Sequence, residues 1–105
     1  MNVIVEFSIV PIGVGVSLSE YVAECERILA QSGLNYELHA NGTNVEGEWE
    51  TVFGVIRQCH ETLHAKGAPR LYTVIKLGTR TDKPQRMADK VASVKARLKG
   101  HSESE

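Results

Sequence analysis

The order of apolar and polar residues divides the chain into segments of two kinds. Near the N-terminus, apolar residues occupy every second position, beginning with Val3, Val5 and Phe7, and this period is typical of a strand buried on one face. After Gly15 they recur every three or four positions, which indicates a helix. Both patterns repeat along the chain. They predict strands over 3–10, 36–40, 43–47 and 70–77, and helices over about 18–32, 48–66 and 84–99.

The second and third predicted strands flank Asn41-Gly42, the dipeptide that best supplies the two positive φ angles of a type I′ hairpin turn. A two-residue loop at this point pairs Leu38 with Val45, and both should face the core. The same register sets Glu37 opposite Glu46 on the other sheet face. Like charges so paired destabilise a hairpin unless something offsets them.

Capping residues mark the predicted helix ends. Ser17 and Glu20 fit a capping box before the first helix, and Pro84 suits the first turn of the last one.

A chain of 105 residues supports one hydrophobic core, so we expect a single domain over residues 1–100 and a frayed tail over 101–105.

The predicted order β-α-β-β-α-β, with right-handed crossovers, gives an antiparallel sheet of strand order 4-1-3-2 with both crossover helices on one face. This is an α+β, ferredoxin-like sandwich, here with an extra C-terminal helix. The other sheet face is left open and mixes apolar, aromatic and polar groups, so we expect a ligand or partner subunit to cover it. Its predicted members are Ile4, Glu6, Ser8, Val10, Glu37, His39, Asn44, Glu46, Tyr72, Val74 and Lys76.

Composition narrows the choice of partners. Hydrophobic residues make up 42% of the chain, and the formal net charge of −1 gives no general attraction to nucleic acid or to an anionic membrane. RNA-recognition domains of this topology stack bases on open-face aromatics, but Phe7 points to the core. Cys25 and Cys59 fall at apolar positions of two predicted helices. A free thiol packs there as a small hydrophobic group, which is typical of proteins in a reducing compartment. We therefore expect a cytoplasmic protein without nucleic-acid or membrane partners.

The string His60-Glu61-Thr-Leu-His64 reads HExxH, in which two histidines one helical turn apart share a zinc ion and the glutamate activates its water. At 100° per residue, both histidines lie at the flank of the apolar stripe and Glu61 lies on the solvent side. A third ligand is missing, apart from acidic and histidine residues of the tail. We therefore expect no metal, cofactor or catalytic residue, and keep a small zinc hydrolase as the alternative.

Two further features are weak signals of an anion-binding site. Gly13-Val-Gly15 lies between a strand and a helix, where backbone N–H groups can face a phosphate, but the third glycine of a phosphate loop is missing and glycines that simply turn the chain are the better explanation. Arg80 and Lys83 precede the last helix, whose N-terminus adds positive potential. A solvated basic loop or a salt bridge to a neighbouring subunit is the alternative there.

The acidic groups of the open face are the most informative cluster. Glu6 and Glu46 lie on neighbouring strands, and Glu37 is predicted beside them. A cationic or donor-rich ligand would offset their charge, with His39 and Asn44 supplying directional hydrogen bonds. Lys76, or simple solvent exposure, is the alternative explanation.

Three strings, Val10-Pro11-Ile-Gly13, the segment 38–47 with its Thr-x-Val-Glu-Gly motif, and the segment 78–83, resemble the thiamine-binding protein family. The resemblance covers nearly the whole chain. It implies a ferredoxin-like protomer that pairs sheet to sheet into homodimers or homotetramers. It also implies that the protein binds thiamine, or its hydroxymethylpyrimidine moiety, without turning it over.

The resemblance places Ser8, Thr43 and Glu46 in the ligand site by position. The remaining predicted ligand-binding residues, which rest on the hairpin register, are Glu6, His39, Asn44 and Trp49. Pairing with Ala40 turns Thr43 inward, so its role is expected to pass through backbone or loop geometry. A structural or regulatory oligomer without a ligand remains the second alternative.

Overall fold

The computed structural model describes residues 1–15 and 18–104, with side chains as far as Gly100. The sheet has the strand order β2-β3-β1-β4, and all neighbouring strands are antiparallel. The predicted ferredoxin-like α+β fold with an added C-terminal helix is therefore confirmed. The elements are β1 (Asn2–Ile12), α1 (Ser19–Ser32), β2 (Asn35–His39), β3 (Gly42–Glu48), α2 (Trp49–Ala65), β4 (Arg70–Thr79) and α3 (Met87–Ser104).

The hydrophobic core lies between the sheet and the two crossover helices, α1 and α2. Val3, Val5 and Phe7 of β1 point into it, and each is 3% exposed or less. Leu29 of α1 and Leu63 of α2 meet them from the other side and are almost completely buried. Burial of such a side chain contributes roughly 1.5–3 kcal/mol. Both cysteines are free thiols within this core.

The β2–β3 hairpin turns one residue earlier than predicted. Its loop is Ala40-Asn41, and His39 pairs with Gly42. Among the described residues only glycines have positive φ, so this is not the predicted type I′ turn. Gly42 belongs to the strand instead, because a Cβ atom at this position would stand 2.8 Å from the carbonyl oxygen of Phe7.

The earlier turn changes every cross-strand pair of the hairpin. Glu37 faces Asn44 and Glu46 faces Asn35, so the predicted contact between two glutamates is wrong. The faces themselves are as predicted, because the pairing slides by two residues and side chains alternate with a period of two. Leu38 does point to the helix side, but it lies on an edge strand and is 54% exposed.

Two helix starts differ from the predicted ones. α1 begins at Ser19 with Leu18 as its N-cap and no side-chain capping bond, while Ser17 of the predicted capping box lies outside the described residues. α3 begins at Met87, three residues after Pro84, and continues through Gly100 to Ser104. Across residues 1–15 and 18–104, no helix combines the length and hydrophobicity that a membrane crossing needs.

Candidate ligand-binding face

One row of polar side chains crosses all four strands on the open face of the sheet. In the order β2, β3, β1 and β4, its members are Glu37, Asn44, Glu6 and Lys76, and we call it the polar row. Directly paired residues of antiparallel strands share a face, with Cβ atoms about 5 Å apart. The register therefore assembles two carboxylates, an amide and an amine on a surface that neither crossover helix covers.

His39 lies beside the polar row, two residues after Glu37 and on the same face of β2. Its Nδ1 accepts a hydrogen bond from the Asn41 backbone N–H at 3.3 Å. The ring proton therefore sits on Nε2, which donates to Asn44 Oδ1 at 3.2 Å and lies 3.4 Å from Glu6 Oε2. His39 thus links three neighbouring strands, β2, β3 and β1, through Nε2. The hydrogen bond from Asn41 in the hairpin loop fixes the orientation of its ring.

The second carboxylate oxygen of Glu6 faces Lys76 Nζ at 3.8 Å. The lysine side chain is 78% exposed, so this ion pair is worth little and holds Lys76 only loosely. Lys76 thus offsets part of the negative charge of the polar row, which is the alternative to a ligand that the sequence left open. A cationic ligand at Glu6 would therefore have to displace only the exposed, weakly paired amine of Lys76.

The Glu46 carboxylate is already hydrogen-bonded to other groups of the same protein. Its side chain is only 10% exposed. Oε1 accepts a hydrogen bond from Asn35 Nδ2 at 2.6 Å, and Oε2 accepts the backbone N–H of Met87 at 2.7 Å. The carboxylate therefore caps the N-terminus of α3, where the helix dipole favours a negative charge.

The other predicted ligand residues divide between the two faces of the sheet. Ser8 lies on the open face, opposite Val74. Thr43 is 5% exposed on the helix side and donates to Glu26. Trp49 begins α2, where its ring packs against the core 4.9 Å from that of Phe53, so it is not part of the open face. The structure brings together Glu6, Ser8, His39 and Asn44, and Glu46 lies two residues beyond Asn44 on the same face of β3.

Glu26 is a second carboxylate in an unusual setting, on the helix side of the sheet. Its Oε2 accepts the Thr43 hydroxyl at 3.2 Å, whereas its buried Oε1 finds no hydrogen-bond partner among the described residues. Burial raises the pKa of Glu26, and the Thr43 hydroxyl offsets part of this rise. Folding therefore disfavours the charged form of this carboxyl group.

We expect Glu26→Gln to stabilise the protein by about 1 kcal/mol at pH 8, because it removes a desolvated charge. A raised pKa means that the folded chain binds this proton more tightly than the unfolded chain, so the penalty grows as pH rises through the carboxyl range. The gain should accordingly vanish near pH 4. Urea unfolding of both proteins at the two pH values measures it.

Glu24→Gln on the same helix is the matched control for this prediction. Lys66 lowers the pKa of Glu24, so its charged form is the stabilising one and the substitution should destabilise the protein at pH 8. If both variants shift stability in the same direction at pH 8, the argument from burial fails.

The HExxH residues all have other partners. His60 Nε2 lies 2.7 Å from Thr73 Oγ1, and His64 Nδ1 donates to the Ala68 carbonyl at 2.8 Å. Glu61 accepts from Arg57 at 2.9 Å. The two imidazole rings stand 6.3 Å apart, and a shared metal ion would require both to leave these bonds. The motif therefore ties α2 to β4 and to the turn that follows the helix.

Side-chain hydrogen bonds within residues 80–85 stabilise the loop before α3. Arg80 donates through Nε and Nη2 to both carboxylate oxygens of Asp82, and through Nη1 to Gln85. Because Glu46 accepts the N–H of Met87, the first residue of α3, and Asp89 accepts the N–H of Arg86 just before it, an anion would compete with two carboxylates here. An anion site at Arg80 and Lys83 stays a prediction.

A family model described as thiamine-binding protein matches residues 5–95. The chain belongs to the thiamine-binding protein family. A UPF0045 protein of Synechocystis sp. is 53% identical over 98 residues, which cover 93% of this chain and 81% of the relative. A second relative, from Eremothecium gossypii, is 39% identical, with 93% and 94% covered.

Solved structures share the fold of this family member. A protein of Methanocaldococcus jannaschii, described only as hypothetical, superposes with a TM-score of 0.82 at 28% identity over 89% of this chain and 95% of that one. A Thermotoga maritima protein, described as a candidate for thiamine biosynthesis or salvage, gives a TM-score of 0.77 at 21% identity, with 90% and 99% covered. The second similarity shows the fold alone.

Sequence reasoning missed Asn35 and the backbone of Met87 as the partners of Glu46. Asn35 contacts Glu46 only because the hairpin turns one residue early, which shifts the strand pairing and places Asn35 opposite Glu46. Met87 enters because α3 starts there and not at Pro84. The acidic residue two positions after the new helix start, Asp89, is the one sequence signal of that start, since it reaches back to the Arg86 N–H at 3.0 Å.

Proposed function

We propose that this protein is a non-catalytic binding protein for thiamine, or for its hydroxymethylpyrimidine moiety, and that it works as a cytoplasmic homodimer or homotetramer formed through the open sheet face. The observation that carries the proposal is the cluster of Glu6, His39 and Asn44 on that face of a thiamine-binding family member. The Thermotoga maritima structure, described as a candidate for thiamine biosynthesis or salvage, agrees with this class of ligand.

The chemistry of the face suits an aminopyrimidine. Such a ring offers an exocyclic amine as donor and ring nitrogens as acceptors. Glu6 can accept from the amine, while the Asn44 amide and the Ser8 hydroxyl can each donate or accept. Thiamine also carries a thiazolium cation, which Glu6 and the exposed Glu37 would attract. Loosely held Lys76 is the group that such a cation would replace.

An apolar area beside the polar row supports the oligomer. Val10, Tyr72 and Val74 lie on the same sheet face and are 42%, 63% and 48% exposed. Apolar side chains clustered so on one face mark an interaction surface. A second subunit on this area would also wall in a ligand on the neighbouring polar row, which would exclude water and strengthen its hydrogen bonds.

Calorimetric titration with thiamine and with hydroxymethylpyrimidine tests the proposal. Glu6→Gln should weaken binding about 10- to 100-fold, because a hydrogen bond to a charged acceptor is worth roughly 1.5–3 kcal/mol. Glu50→Gln, an exposed glutamate of α2, is the control and should bind as the parent does.

Two outcomes would contradict the proposal. The first is an absence of heat and of any thermal shift at millimolar ligand, in which case an oligomer without a ligand becomes the better interpretation. The second is unchanged affinity in Glu6→Gln, which would place the ligand elsewhere on the molecule.

A further inference from the structure

The Asn41-Gly42 dipeptide of the hairpin has a covalent chemistry of its own. When glycine follows asparagine, its backbone nitrogen can attack the asparagine side-chain amide, because no Cβ atom stands in the way. The chain has four asparagines, and the other three precede valine or tyrosine, whose side chains shield the nitrogen that would attack. Position 41 is therefore the asparagine at which the sequence favours this reaction.

The structure leaves the Asn41 side chain accessible to this attack. Asn41 is exposed and belongs to the two-residue loop between β2 and β3. Asn35 and Asn44, in contrast, belong to the strands themselves, where the ladder of hydrogen bonds restrains the backbone. The side-chain amide of each is also hydrogen-bonded to a side chain of the neighbouring strand. The fold therefore restrains these two amides and exposes the third.

The packing of the sheet keeps the reactive dipeptide in place. A Cβ atom at position 42 would stand 2.8 Å from the carbonyl oxygen of Phe7, so the residue after Asn41 has to be glycine. The loop is also a poor match to the twist of the strands, because neither of its residues has the positive φ angle that the favoured two-residue loops need. A reaction that lengthens the loop would relieve this mismatch.

We propose that Asn41 deamidates spontaneously through a cyclic imide, and that the main product, an isoaspartate, releases His39 from the hairpin loop. The Gly42 nitrogen gives its proton to water and bonds to Asn41 Cγ. The Cγ–Nδ2 bond then breaks, and ammonia leaves with a proton taken from water. Water next adds to one of the two imide carbonyls. Opening at the backbone carbonyl gives isoaspartate, whose chain runs through Cβ and Cγ, and opening at Cγ gives ordinary aspartate.

The isoaspartate lengthens the loop by one backbone atom between two paired residues, His39 and Gly42. In the unmodified chain the Asn41 N–H donates to His39 Nδ1 at 3.3 Å, which is long for a hydrogen bond. The inserted methylene moves this N–H away from the ring, and the ring loses the bond that orients it. The contacts of Nε2 with Asn44 and Glu6 depend on that orientation. The modification therefore reaches the polar row from outside it.

Mass spectrometry of protein aged at pH 8 and 37 °C tests the proposal. Trypsin yields one peptide, 28–57, that contains Asn35, Asn41 and Asn44 together, so each molecule carries its own controls. Each conversion raises the mass by about 1 Da, and electron-transfer fragmentation locates it and separates isoaspartate from aspartate. Digestion in ¹⁸O-labelled water marks any product that forms during digestion.

Asn41 should convert at least about tenfold faster than Asn35 or Asn44, because only its neighbour leaves the attacking nitrogen uncovered. Isoaspartate should be the more abundant product. Asn41→Gln is the matched control and should stay unchanged, since its longer side chain has to close a larger ring. Equal rates at the three asparagines would overturn the proposal. Aspartate as the sole product would also overturn it, because a cyclic imide yields both acids.

Nitrogen NMR of the His39 ring at pH 8 tests its release from the loop. The chemical shift of Nδ1 should move in the isoaspartate form, because this nitrogen loses its hydrogen bond. Asn41→Asp carries the same new charge on an ordinary backbone and should keep the shift of the unmodified protein. An unmoved Nδ1 shift in the isoaspartate form would overturn the release of His39. An equal change in Asn41→Asp would overturn it too, because charge alone would then be the cause.

Discussion

Replacing Glu46 with alanine is expected to destabilise the protein by about 2 to 3 kcal/mol and to release the start of α3. The carboxylate accepts two short hydrogen bonds, from the Asn35 side chain and from the Met87 backbone, in a place that is largely closed to water. Bonds to a charged acceptor are worth roughly 1.5–3 kcal/mol, and their removal leaves both donors without a partner. Urea unfolding measures the loss of stability.

Hydrogen exchange measures the release of the helix. The Met87 amide should exchange much faster in Glu46→Ala, while the sheet amides change only by the global loss of stability. Glu48→Ala is the matched control on the same strand, since Glu48 is 54% exposed and pairs with the N-terminal amine. Equal destabilisation by the two variants would show that Glu46 does not hold α3.

Glu46 also illustrates what the sequence could and could not predict about the site. Its place on the open face follows from the alternation of side chains along β3, and the structure agrees. Its bonding partners do not follow, because they depend on where a helix begins some forty residues later. A residue chosen as a ligand contact thus has a structural role, and Glu6 and Glu37 are the carboxylates that remain available.

The fold was predictable because its signals are redundant. Strand periodicity, helical stripes and the order of the elements all specify one topology, so an error at any single boundary leaves the sheet order unchanged. The hairpin register rests on a single signal, the Asn41-Gly42 dipeptide, and here a tertiary contact overrides it. Since the carbonyl of Phe7 occupies the space beside position 42, the glycine is needed in the strand and the turn forms before it.

Gly42→Ala is therefore expected to destabilise the protein by about 2 to 3 kcal/mol, because neither the space nor the backbone at position 42 suits a side chain. Gly42 has a φ angle of 158°, which residues with a Cβ atom rarely adopt. The new Cβ would stand 2.8 Å from the Phe7 carbonyl oxygen, and a backbone atom of a central strand cannot move away without shifting β1 against β3. Chemical unfolding measures the effect. On the proposed function, thiamine affinity should fall as well, because Gly42 pairs with His39.

Gly78→Ala is the matched control for the crowding at position 42. Gly78 also lies on a strand beside β1, but the nearest backbone atom to its Cβ position is the Ile4 carbonyl oxygen at 4.0 Å, an ordinary contact distance. This variant should change stability by less than about 0.5 kcal/mol. If Gly42→Ala were equally mild, the approach of Phe7 would not explain the early turn, and the register of Glu37 and Asn44 would need another cause.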